Sequence, residues 1–176
     1  DEAFSYCYGF TTFKIPDSVT IVGNKAFRYC QNLVTLELSA NMETAATGNS
    51  SLVEDCAALQ AVLVPEDHAY LTSVDGVLYD KQLTILYIYP QGKSAMTTPI
   101  PDTVHTIEGG AFYRYQGTSI QLPANLRYIR SFAFAYSNLE SVLLPANVQE
   151  INESAFQNCT SLSTFVIPDY TTTIAK

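Results

Sequence analysis

The chain has 176 residues, 47% of them hydrophobic and only 15% charged, with a net charge of −8. That is enough apolar material for one continuous core, with a charged fraction well below the usual quarter or so. The nine Lys and Arg residues are scattered, which argues against a phosphate-tracking surface, and no apolar run approaches the roughly 18 residues of a membrane span.

Two beats run along the chain in phase. Ala-Phe recurs at Ala3-Phe4, Ala26-Phe27, Ala111-Phe112, Ala133-Phe134 and Ala155-Phe156, with spacings of 23 (3 to 26) and 22 (111 to 133, 133 to 155) residues. An aliphatic residue followed by Pro recurs at Ile15-Pro16, Val64-Pro65, Ile100-Pro101, Leu122-Pro123, Leu144-Pro145 and Ile167-Pro168. A period in the low twenties predicts a solenoid of the leucine-rich type. The expected fold is α/β and β-rich: right-handed coils of about 22–23 residues, a parallel sheet, short helical or 3-10 turns after Ala-Phe, and one inserted β-hairpin. Residues 1–176 form a single domain. Both termini fall inside a coil, so the chain reads as a piece of a longer one, with signal and anchor outside it. Cut coils with apolar edges fit a monomer that packs end to end.

In chain order, strands are predicted over Phe10–Ile15, Leu33–Leu38, Leu59–Val64, Leu139–Leu144 and Leu162–Ile167. Their first, fourth and sixth residues are apolar and face the core, and the others face solvent. The coil over 41–55 lacks both beats and is irregular, with Val53 where Phe belongs. Over 70–89 a hairpin is inserted, rich in tyrosine: Tyr70, Tyr79, Tyr87 and Tyr89. It reads either as a binding ridge, since Tyr favours interfaces, or as a structural plug over a wide coil. In the coil starting at Ile100, Val104, Ile107 and Ala111 point inward. Gly117 replaces a core Leu, with Tyr115 and Tyr136 near the position that elsewhere holds Cys.

The four cysteines, Cys7, Cys30, Cys56 and Cys159, share one coil position. They read as a ladder of small buried hydrophobes, or as a disulfide where Cα atoms come within roughly 4.4–6.8 Å. With no Cys-x-x-Cys and only His68 and His105, no metal site or cofactor is expected. Asp67, Asp75 and Asp80 match no calcium loop. Asp67, His68 and Ser73 lack a nucleophile turn or oxyanion hole, so no catalysis is expected, and His105 is assigned to the surface.

The run Ile15-Pro16-Asp17-Ser18-Val19, Gly23-Asn24-Lys25-Ala26-Phe27 and Cys30-Gln31-Asn32-Leu33, repeated closely over Asn147 to Leu162, resembles the BspA-like (Treponema pallidum type) leucine-rich repeat. Tyr70-Leu-Thr-Ser-Val-Asp-Gly-Val-Leu-Tyr79 resembles the long hairpin repeat of Bacteroides-type members. The resemblance implies an extracellular or cell-surface bacterial protein that binds protein or glycan, without catalytic residues. It also brings to mind O-glycosylation at Asp-Ser/Thr-aliphatic sequences, here Ser18 and Thr103, although Asp and Ser/Thr are equally what the turn after Pro requires. The expected function is a non-catalytic, adhesin-like binding module, or alternatively a spacer presenting another domain. The candidate surface combines the hairpin tyrosines with exposed strand positions Lys14, Glu37, Leu63, Gln121, Leu143 and Val166.

Overall fold

The structure, a computed structural model, describes residues 1–43, 51–93 and 99–175. The irregular coil over 41–55 therefore lies partly outside the described residues. Twelve short strands follow in order: β1 (Thr12–Lys14), β2 (Thr35–Glu37), β3 (Ala61–Leu63), β4 (Leu71–Val74), β5 (Val77–Asp80), β6 (Ile85–Ile88), β7 (Thr106–Ile107), β8 (Tyr128–Ile129), β9 (Ser141–Leu143), β10 (Glu150–Ile151), β11 (Thr164–Val166) and β12 (Thr173–Ile174). They form a β-solenoid of about seven turns with parallel sheets.

One face of the solenoid carries β1-β2-β3 and, beyond the hairpin, β9-β11. These strands lie within the segments predicted from sequence. The second sheet has the order β12-β10-β8-β7-β6-β5-β4; β4, β5 and β6 lie within the hairpin predicted over 70–89, and the remainder of the sheet was not anticipated. It arises from the Val-x-x-Ile segments: β7, β8 and β10 end on Ile107, Ile129 and Ile151, which pack inward.

No helix occurs among the described residues, which corrects the expected helical or 3-10 turn and makes the fold all-β. The cause is local. The residue before Ala (Glu2, Lys25, Gly110, Phe132, Ser154) and the residue three after it (Tyr6, Tyr29, Arg114, Tyr136, Asn158) all have φ between 53° and 69°. Left-handed residues every four positions stop any right-handed helix. They also turn alternate N–H groups toward the next coil. Phe132, Phe134 and Tyr136 donate to the carbonyls of Glu153, Ala155 and Gln157 at 3.1, 2.8 and 2.7 Å. The same ladder joins Phe4 to Ala26 and Phe112 to Ala133.

This ladder holds successive rings in register. Phe4 stacks on Phe27 at 5.3 Å, Phe112 on Phe134 at 5.0 Å and Phe134 on Phe156 at 5.1 Å. Tyr89 is a rung of the same stack: its N–H donates to Ala111 and its ring lies 5.0 Å from Phe112. Val53 holds the Phe position in its coil, since Phe27 N–H donates to Leu52 beside it. In the coil of Gly117, the Tyr115 ring fills the space that Leu139 fills one coil later. A Cβ on Gly117 would collide with the Tyr115 hydroxyl.

The core divides into two blocks, one from Ile15 to Ile88 and the other from Val77 to Ala155. The hairpin is the wall between them. Every residue of β5 is buried: Leu78 faces the first block, Val77 and Tyr79 the second. Asp80 closes the β5–β6 turn, its carboxylate accepting from Thr84 N–H (2.6 Å), Thr84 Oγ1 (2.6 Å) and Ile85 N–H (2.7 Å).

Two stability outcomes are expected. Phe134→Ala removes a fully buried ring from the middle of the stack and should cost about 3–5 kcal/mol in equilibrium denaturant unfolding. Ser154→Gly places in that coil the residue that Gly110 supplies in another. It should stabilise the fold by up to about 1 kcal/mol, seen as a higher denaturant midpoint at unchanged slope.

Candidate binding surface

Register brings the predicted sheet positions together in two groups. Lys14 pairs with Glu37, and Glu37 with Leu63. Leu143 pairs with Val166. Gln121 is exposed one coil before Leu143, beside β9 but outside any strand; Glu140 N–H donates to Thr118 at 2.8 Å there. The hairpin coil separates the two groups, since Val62 N–H donates to Gly76 rather than to another coil's strand.

The two groups differ in chemistry. Lys14, Glu37, Leu63 and Pro65 border a mixed hollow. Leu143 and Val166, 81% and 63% exposed, border an apolar cleft of about 240 Å³ completed by Ala146, Pro168, Asp169 and Tyr170. Tyr170, itself 73% exposed, was not picked out from the sequence. A signal existed: its turn position is Ser18, Thr103, Asn125 and Asn147 in other coils. An aromatic ring is out of pattern there.

The hairpin tyrosines do not form a ridge. Tyr79 and Tyr89 are 3% and 4% exposed, because β5 lies between the two core blocks and Tyr89 belongs to the ring stack. Burial pushes the Tyr79 phenol up to about 12. Tyr87 is half-buried, its pKa raised by burial and then by Glu108 and Asp80, and only Tyr70 is exposed.

Ser18 is exposed. Thr103 is exposed too, but its hydroxyl donates to Leu83 at 2.6 Å. The neighbouring aspartates do turn work: Asp17 accepts from Ala40 N–H and Asp102 from Ala124 N–H, each one coil on. Asp67, His68 and Ser73 do not assemble as a triad. His68 Nδ1 accepts from the backbone and Ser73 Oγ donates to Val62 at 2.6 Å. Asp75 pairs with Lys93 at 3.1 Å. His105 is half-buried, with Nδ1 2.9 Å from Thr106 Oγ1.

A charged strap crosses the turn edge where the ring stack is broken. Glu54 and Asp55 are both buried. Glu54 meets Lys25 at 3.3 Å and Arg28 at 3.7 Å, and Asp55 meets Arg114 from beyond the hairpin. Burial raises the pKa of Glu54, partly offset by Lys25 and Arg28. This strap substitutes electrostatic contact for the missing aromatic rung.

All four cysteines are free thiols. Cys30, Cys56 and Cys159 donate Sγ–H to the carbonyls of Phe4, Phe27 and Phe134 at 3.1, 2.9 and 3.1 Å. Ser137, not Tyr136, fills this slot in its coil and contacts Cys159 Sγ at 3.2 Å. Burial raises the Cys30 thiol and lifts Cys56 to about 12.

The chain matches the BspA type leucine rich repeat region in six copies, over residues 1–74 and 85–176. It belongs to this family. The unmatched stretch, 75–84, holds β5 and its flanking turns, the inserted wall. Among solved structures, the chain is similar to the pneumococcal vaccine antigen PcpA, at 24% identity and a TM-score of 0.76, over 94% of this chain and 47% of that one. It is also similar to a leucine rich cell surface protein from Faecalibacterium prausnitzii A2-165, at 26% identity and a TM-score of 0.66, over 98% of this chain and 52% of that one. The chain thus spans about half the length of these proteins. No curated protein matches it.

The thiol slot sets an order of reactivity. Under native conditions at pH 8, iodoacetamide should alkylate the partly exposed Cys7 and Cys159 and spare Cys30 and Cys56, as read by peptide mass spectrometry. All four should react once the chain is unfolded. Native labelling of Cys56 at the rate of Cys159 would contradict the ladder.

Proposed function

We propose that this chain is a non-catalytic recognition module of a bacterial surface protein. Its binding site on this reading is the sheet face around Leu143 and Val166, and its ligand a protein. The observation that carries the reading is the exposed, register-paired Leu143 and Val166 beside Tyr170, forming one apolar cleft. Exposed aliphatics scattered singly need no explanation, whereas a contiguous aliphatic–aromatic patch favours a protein contact. The likeness to a leucine rich cell surface protein supports an extracellular setting.

The spacer reading has its own support in the hydrogen-bonded ladder that ties successive Ala-Phe coils together. Ser18, exposed on the Pro turn, is the better placed of the two glycan acceptors, since the Thr103 hydroxyl is engaged.

Capture of extracellular host proteins on the immobilised chain separates the two roles. The double substitution Leu143→Lys and Val166→Lys lies on the solvent side of β9 and β11 and should leave the fold intact by circular dichroism. It should weaken capture at least about tenfold, as expected for the centre of a binding patch. Capture unchanged by the double variant would discard the sheet-face site. Absence of capture by either chain would favour the spacer.

A further inference from the structure

Along the stack of Pro turns, the fourth residue closes the turn through its N–H. Val104 donates to Pro101 at 3.0 Å, Leu126 to Pro123 at 3.1 Å and Val148 to Pro145 at 3.1 Å. In the turn that leads into the hairpin this residue is His68, which donates to Pro65 at 3.1 Å and is only 2% exposed. A buried imidazole in a row otherwise made of Val, Met, Leu and Thr calls for a physical reason.

The reason lies at the sheet edge. Two residues after this position, the N–H groups of Thr106 and Tyr128 donate to the preceding coil, at Thr84 and His105. Among the described residues β4 is the last strand of its sheet, and the corresponding amides of the hairpin, those of Tyr70 and Leu71, turn to a side chain. His68 supplies the acceptor instead. Its Nδ1 receives the N–H of Tyr70 at 3.2 Å and of Leu71 at 3.0 Å. A ring nitrogen that accepts two hydrogen bonds must be unprotonated, which places the proton of the neutral ring on Nε2. Nε2 is buried, and the Ser39 carbonyl of the preceding coil lies against the ring.

We propose that His68 is an acid-operated latch on the hairpin: a proton taken up from solvent at Nδ1 converts the acceptor into a donor, releases Tyr70 and Leu71, and opens residues 65–71 with the start of β4. Among the described residues the charged groups around the ring are few. Asp67 lies on its own turn, and Lys81, at the end of β5, donates from Nζ to the Glu66 carbonyl at 2.9 Å. The preceding coil presents the Ser39 carbonyl, and the Tyr70 ring stands edge-on at 6.5 Å. Burial lowers the His68 pKa, the Ser39 carbonyl opposes this, Lys81 reinforces it and Asp67 opposes it. A folded pKa below the unfolded value of 6.5 means that the latch contributes fully above that value. The contribution is lost as pH falls through the folded value.

The latch reaches the sheet face. Ser73 Oγ donates to the Val62 carbonyl at 2.6 Å, and Val62 N–H donates to Gly76 at 2.9 Å. Loosening β4 therefore frees the edge of β3, the strand that carries Leu63.

Nuclear magnetic resonance tests this on the whole chain. At pH 7.5, His68 should show the Nε2–H tautomer. Between pH 7.5 and 5, protection of the Tyr70 and Leu71 amides, corrected for intrinsic exchange, should fall at least about tenfold while Phe112 and Phe134 stay protected. His68→Asn keeps a carboxamide acceptor that does not titrate, and should abolish this pH dependence. An Nδ1–H tautomer at pH 7.5, undiminished protection at pH 5, or an equal fall in the Asn variant overturns the latch. The first two readouts need only the unmodified chain, so they decide even if the variant does not fold.

Discussion

The structure depends on a backbone ladder at the Ala-Phe corner. Every second N–H there donates to the next coil, and two left-handed residues per coil make that direction possible. The side chains follow from it. Ala26, Ala111, Ala133 and Ala155 fill the buried place beside the ring, with Leu52 and Ile88 there in the two coils that lack Ala-Phe. The ring then stacks about 5 Å from its neighbours, near the closest spacing that aromatic pairs favour. The Phe carbonyl points along the axis, and the thiol of the next coil caps it. The cysteines are thus part of the ladder as weak donors, and Ser137 holds the equivalent slot in its own coil.

Much of this was legible in the sequence, because a period repeats whatever the ladder needs. The strands of the first face, the inward Val-x-x-Ile residues, the Val53 substitution and the thiol slot all followed from phase. The helical turn did not survive, since left-handed backbone at residues such as Phe132 and Tyr136 leaves no compositional mark. Among the described corner residues only Asp55, Gly110 and Asn158 advertise it. Tyr89 was misassigned for a different reason. It lies 23 residues before Phe112, so the beat itself places it in the ring stack; reading the hairpin as a break in the beat hid this. Tyr79 was beyond phase, because its burial depends on β5 standing between two core blocks.

That wall has a cost and a use. Two extra strands widen one sheet and interrupt the other, and in the coil before them Val53 stands in place of a ring. The Glu54–Asp55 strap then joins Lys25 and Arg28 on one side to Arg114 on the other. Such a pair of buried carboxylates is tolerable only with its cations in place. Among the described residues β4 is the last strand of its sheet, and His68 accepts from the amides that lead into it. The lost ring, the charged strap and the buried imidazole thus gather beside the coil that carries the insertion.

The remaining variation lies where the ladder imposes nothing. The fourth strand position is Phe13, Leu36, Val62, Val142 or Phe165, always apolar, because it packs on the core. The fifth position is Lys14, Glu37, Leu63, Leu143 or Val166, with Gln121 at the same coil position, and spans cation, anion, amide and aliphatic chemistry. Within the strands its backbone is paired whether the side chain is Lys, Glu, Leu or Val, so exchanging that side chain leaves the pairing whole. Stability and surface chemistry are thereby carried by neighbouring residues with opposite constraints. A solenoid built this way can alter what its sheet face presents, one coil at a time, without disturbing the stack beneath it.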